Sequence, residues 1–184
     1  MLRASHIPNL ICVLRILLIA PIVVTLLEHD YRLALLLIFI AGFSDGLDGF
    51  LAKTFDWRTR LGGLLDPLAD KLLMLALFLT LTYMGLAPVW LAALVIGRDI
   101  IIVTGAVAYN VLVGPVRPDP SMISKANTSC QLLYLLLVIA EQAFGWPLST
   151  AILVCGAGVM FTSVISGMGY VLHWSVKAIT DRQA

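Results

Sequence analysis

Apolar residues fall in long runs separated by short polar clusters. The pattern predicts six membrane-length helices, at about 9–28, 33–53, 66–85, 88–112, 122–143 and 147–172. Each run is close to the roughly 20 apolar residues that a helix needs to cross a bilayer core. The breaks carry turn chemistry: Glu28–His29–Asp30, Gly85–Leu86–Ala87–Pro88 and Gly145–Trp146–Pro147. The longest break, Gly114–Pro115–Val116–Arg117–Pro118–Asp119–Pro120, holds prolines at a density no helix tolerates. No internal repeat, low-complexity stretch or second domain interrupts the pattern. The expectation is an all-α integral membrane protein with residues 1–184 as a single domain.

Composition agrees. The chain is 60% hydrophobic and 12% charged, against roughly 45–50% and about 25% in soluble domains. So few charges cannot cover a water-facing surface. A net charge of +1 with no basic block argues against a nucleic-acid binder. Cys12, Cys130 and Cys155 lie in apolar runs without CxxC spacing and read as packing residues. His6, His29 and His173 stand near segment ends, as interfacial residues do. Residues 1–9 lack the pattern of a cleaved signal. Arg3, Lys53, Arg58, Arg60, Arg117, Lys177 and Arg182 fall on one side of the six-span layout, with Lys125 at a span start; the other side has only Arg32. The positive-inside rule then makes the termini and the 53–65 and 113–121 loops cytoplasmic.

Charge inside spans is costly and marks function. Asp45 and Asp48 are spaced i, i+3, and Asp66 and Asp70 i, i+4, so each pair shares one helix face at the cytoplasmic end of the second and third spans. Carboxylates this close repel one another unless a cation joins them. All-oxygen ligation suits Mg²⁺ or Mn²⁺ better than Zn²⁺. The structural alternative is helix capping, or pairing with Lys53, Arg58, Arg60 and Lys71. Gly49 and Ala52 continue the first acidic face without bulk, and Gly62 and Gly63 precede Asp66. Small residues there allow close helix packing or leave room for a flat nucleotide.

The run Asp45–Gly46–Leu47–Asp48–Gly49–Phe50–Leu51–Ala52–Lys53, followed by Gly62, Asp66 and Asp70, resembles the signature of the CDP-alcohol phosphotransferases, D-x2-D-G-x2-A-R-x8-G-x3-D-x3-D. Lys53 stands where that signature has Arg, exchanging a two-pronged phosphate contact for a point charge. The likeness extends from Ile7–Pro8–Asn9 and Arg15 to Ser124–Lys125. It implies a six-span fold that moves a phosphatidyl group from CDP-diacylglycerol to an alcohol and releases CMP. By this resemblance Asp45, Asp48, Asp66 and Asp70 hold two Mg²⁺ or Mn²⁺ ions, with Asp70 also the general base. Asp48, Gly49, Ala52, Lys53 and Gly62 line the CDP site, and the protein forms a homodimer.

The later spans bear on the acceptor. Arg98 and Asp99 lie within the fourth span, either as a buried pair or with Arg98 facing an acceptor phosphate. Lys125 is either an interfacial lysine or, with Thr128 at i+3, part of a polar face turned to the site. Phosphatidylglycerophosphate synthases are similar but carry a second Lys, in G-K-x-K-T-x2-Q, which suits glycerol 3-phosphate. Here Asn127 takes that place, and Ser124–Lys125–Ala126–Asn127–Thr128 with Gln131 looks more like the CMP-forming cardiolipin synthases, whose acceptor is the anionic lipid phosphatidylglycerol. Arg98, Lys125, Asn127 and Thr128 are the expected acceptor contacts. A phosphatidylglycerophosphate synthase is the alternative, and a divalent-cation carrier is the alternative from another class. Without an Arg-rich leader, a bacterial inner membrane is expected over a mitochondrial one.

Overall fold

The computed structural model describes residues 7–54, 62–112 and 122–181, with side chains over 11–44, 68–105 and 122–169. Among the described residues the chain is all-helical: α1 (Ile7–Leu27), α2 (Tyr31–Thr54), α3 (Gly62–Tyr83), α4 (Val89–Leu112), α5 (Met122–Phe144) and α6 (Ser149–Asp181). The expected breaks at 28–30, 85–88 and 145–147 fall where the turn residues stand, and the one at 114–120 lies outside the described residues. Two helices differ from their expected bounds by more than two residues. α3 begins at Gly62 rather than at residue 66, because Leu64 and Leu65 carry the helix back over glycines whose weak propensity reads as loop. α6 runs to Asp181, some nine residues past the expected end.

The helix ends are closed locally. After α1, Asp30 N–H donates to Thr25 O and His29 N–H to Leu26 O, with His29 itself left-handed at φ 63°. Asp30 Oδ1 then accepts the Leu33 N–H and caps α2. Gly85 (φ 75°) ends α3 in the same manner, with Leu86 N–H reaching Leu81 O. At the C-terminus of α5, Arg32 Nε donates to Ala143 O at 3.1 Å and its guanidinium lies over the Phe144 ring. Arg32 thus caps the C-terminus of α5.

The chain divides into two compact units, Met1–Leu86 with Val138–Pro147, and Ala87–Leu137 with Leu148–Ala184. In the first, α1 packs against both α2 and α3. Its core has the helical spacing Ala34, Ile38, Ala41 on α2 and Ala69, Leu73, Leu77, Leu81 on α3. In the second, α4 packs against α6, and the Tyr134 ring lies so near Gly156 that a Cβ there would approach Cε2 to 3.3 Å.

Polarity is inverted relative to a soluble protein. Arg15, Arg98, Asn127, Gln131, Ser163 and Ser166 are buried, while Phe39 (69%) and Leu153 (74%) are exposed. Such a surface suits a lipid solvent. α5 and the Ser149–Gly169 portion of α6 are long and apolar enough to cross a membrane.

Candidate functional site

In the first unit, α2 carries Asp45, Asp48, Gly49, Ala52 and Lys53, and α3 carries Gly62, Asp66 and Asp70. Helical backbone through both acidic pairs puts each on one face, as the spacing requires. Apart from Asp70, the side chains of these residues lie outside the described set, as do Arg58, Arg60 and Arg117. Among the described residues no three His, Cys, Asp or Glu side chains gather as metal ligands.

Asp70 is described, and its surroundings are informative. Its carboxylate is 50% exposed, and Oδ1 accepts a 2.8 Å charged hydrogen bond from Nη1 of Arg15 on α1. Arg15 itself is 1% exposed. A guanidinium in mid-helix is thus buried against the residue expected to act as base. This contact lies outside every pairing that the sequence spacing suggests. The rule that singled out the intramembrane aspartates applies equally to a lone Arg in an apolar run, so the signal for Arg15 was present.

The second unit holds a separate polar group. Arg98 on α4 donates through Nη1 to Asp99 at 2.6 Å and through Nη2 to Ser124 on α5 and Ser166 on α6, the latter at 2.7 Å. One guanidinium fastens three helices. Asn127 is fully buried, and its Oδ1 lies 2.8 Å from Thr162 Oγ1 and 2.9 Å from Ser163 Oγ, both in position to donate. Three side-chain groups here have no hydrogen-bond partner among the described residues: Arg98 Nε, Asn127 Nδ2 and Gln131 Nε2. Orphaned buried donors are uncommon, and a ligand or water is their usual complement.

Of the four expected acceptor contacts, Arg98 and Asn127 are buried within this group, while Lys125 and Thr128 are exposed on α5. The Thr128 hydroxyl donates back to Ser124 O at 3.2 Å. Arg98 is paired with Asp99, as one of its two readings expects, and keeps an unmet Nε donor. Ser166, Thr162 and Ser163 went unnoticed in the sequence because serine and threonine are ordinary in membrane helices, and Ser124 was read only as part of its motif. Only the fold reveals that they converge.

Residues 5–169 match the CDP-alcohol phosphatidyltransferase family. The human cardiolipin synthase (CMP-forming) is 33% identical over 94% of this chain and 62% of its own length. A CDP-diacylglycerol–glycerol-3-phosphate 3-phosphatidyltransferase from Pseudomonas fluorescens is 36% identical over 87% of each chain. A cardiolipin synthase (CMP-forming) from Streptomyces coelicolor is 31% identical over 77% of this chain and 62% of its own. This chain therefore spans about 62% of the length of the human and rat cardiolipin synthases.

Proposed function

The chain belongs to the CDP-alcohol phosphatidyltransferase family, and from that premise we propose that it transfers a phosphatidyl group from CDP-diacylglycerol to phosphatidylglycerol, yielding cardiolipin and CMP. The acceptor hydroxyl forms a new P–O bond to the lipid-side phosphorus. The pyrophosphate bridge breaks, CMP leaves, and the hydroxyl proton passes to the Asp70 carboxylate. Arg15 fixes one oxygen of that carboxylate, which orients the base. Asp48, Gly49, Ala52, Lys53 and Gly62 hold the CDP moiety.

The donor set fits a hard cation, because the motif offers carboxylate oxygens alone. Asp45, Asp48, Asp66 and Asp70 would hold two Mg²⁺ or Mn²⁺ ions, which when bound neutralise charge on the pyrophosphate and the leaving CMP. Arg98, Lys125, Asn127 and Thr128 serve the acceptor.

The observation that carries the choice of acceptor is the charge of the second unit's polar group. Its buried cation is Arg98, already paired with Asp99, and the neighbouring buried position is the neutral Asn127. A singly charged phosphodiester suits that balance better than a near-dianion. The likeness to the Pseudomonas fluorescens enzyme, which covers most of both chains, supports glycerol 3-phosphate as the second reading. The same proposal includes six membrane crossings in a bacterial inner membrane, termini and acidic motif at the cytoplasmic face, and a homodimer.

Purified protein with CDP-diacylglycerol and Mg²⁺ or Mn²⁺ tests the assignment. CMP release is expected with phosphatidylglycerol; release with glycerol 3-phosphate alone would establish the second reading.

A further inference from the structure

An open cavity of about 560 Å³ lies along α4 and α6 of the second unit, walled by Gly97, Ile101, Val164, Gly167 and Met168, with Arg98 beside them. Its volume lies within the roughly 300–1,000 Å³ of small-molecule sites. Glycines make the groove deep. A Cβ at Gly97 would meet nothing within 4 Å, and one at Gly167 would only touch Arg98 Cγ at 3.7 Å. Arg98, nine-tenths buried, is its charged component and retains an unpartnered Nε–H.

An apolar trough lined in part by a buried arginine complements one kind of molecule: an anionic amphiphile with its tail in the trough and its headgroup near the cation. We propose that this groove receives an acyl chain of the acceptor phospholipid, which enters sideways from the bilayer. The inference rests on the lipid-acceptor reading above and adds to it a specific seat for the chain. A soluble acceptor has no use for such a trough, so the groove also accounts for selection of a lipid hydroxyl over a small polyol phosphate. Gly97 and Gly167 are then specificity determinants, because any larger side chain occupies the volume of the tail.

Gly97→Leu fills the trough from the α4 side, its Cβ meeting nothing within 4 Å. Met168→Trp narrows it from α6 at a position 61% exposed, where folding is least at risk. In mixed micelles each variant is expected to raise the KM for phosphatidylglycerol roughly tenfold, the effect of losing about two buried methylenes, with the KM for CDP-diacylglycerol unchanged. In the unmodified protein, phosphatidylglycerol bearing a diazirine in one acyl chain should label peptides containing Gly97 or Met168, with excess phosphatidylglycerol competing. An unchanged acceptor KM in folded variants overturns the proposal. So does a KM rise confined to the donor, a loss of self-association with acceptor KM intact, or labelling elsewhere. Failure of the unmodified enzyme to use phosphatidylglycerol is a different result, and it removes the acceptor reading itself.

Discussion

Arg15 and Asp70 carry the densest chemistry at the scale of single residues. Asp70 was legible as a member of a fixed-spacing acidic motif, whereas its partner sits 55 positions away on another helix. Pattern reading sees neighbours within a few turns and cannot see such a contact. Asp70→Asn is expected to cut turnover by roughly 10² or more, the scale of a lost general base, with CDP-diacylglycerol binding nearly retained. Arg15→Ala should lower kcat more than it raises either KM, and Arg15→Lys should restore part of the rate by returning the charge without the fork. An Arg15→Ala enzyme with full kcat would show that the ion pair serves folding alone. Exhaustive chelation should stop CMP release, and added Mg²⁺ or Mn²⁺ should restore it, as a radiochemical assay can follow. Asn127 was legible as polar but not as buried. Asn127→Leu removes the acceptor of the Thr162 and Ser163 hydroxyls, and it should cost about 1–3 kcal/mol in denaturant or thermal unfolding. Asn127→Lys buries a charge there as well, so it perturbs packing before it can alter acceptor choice.

Among the helices, the sequence marked the breaks well because glycine, proline and acidic turn residues act locally. It marked the ends less well, because propensity yields to context at Gly62 and nothing in the composition stops α6 before Asp181. With 33 residues, α6 is roughly 50 Å long at 1.5 Å per residue, against a hydrocarbon core of about 30 Å. Its last turns therefore extend beyond any single crossing. The α1–α2 connection is a good place to test local energetics. His29 holds a left-handed conformation without being glycine, at a strain of about 1–2 kcal/mol. His29→Gly should raise the melting temperature, less the loss of the 2.8 Å contact between His29 Nδ1 and the Tyr31 hydroxyl. Asp30→Ala should lower stability by about 1 kcal/mol through loss of the α2 cap.

For the molecule as a whole, the hydrophobic pattern told which segments are helical and pointed to a membrane, but not which residues face inward. When the exterior is as apolar as the interior, amphipathic periodicity fades, and burial is set by small residues and polar pairs instead. Orientation remains open to direct measurement. Single cysteines replacing Arg58 and Arg117, with the native Cys12, Cys130 and Cys155 changed to Ala, should react with an impermeant maleimide from the cytoplasmic face only. A cysteine at Trp146 should react from the opposite face, and the reverse pattern would invert the topology. Arg15 also bears on the order in which the protein is built. α1 leaves the ribosome well before α3, so the Asp70 contact of its guanidinium forms only once the later helix is made. An Arg within an apolar helix disfavours translocon insertion, by up to about 2.5–3.5 kcal/mol at a helix centre. A nascent chain halted before α3 should therefore leave α1 poorly integrated, and extending it through residue 86 should rescue integration. On the six-crossing proposal, Arg15→Leu should abolish that dependence in a glycosylation-mapping assay, and an unchanged dependence would show that the ion pair has no part in insertion.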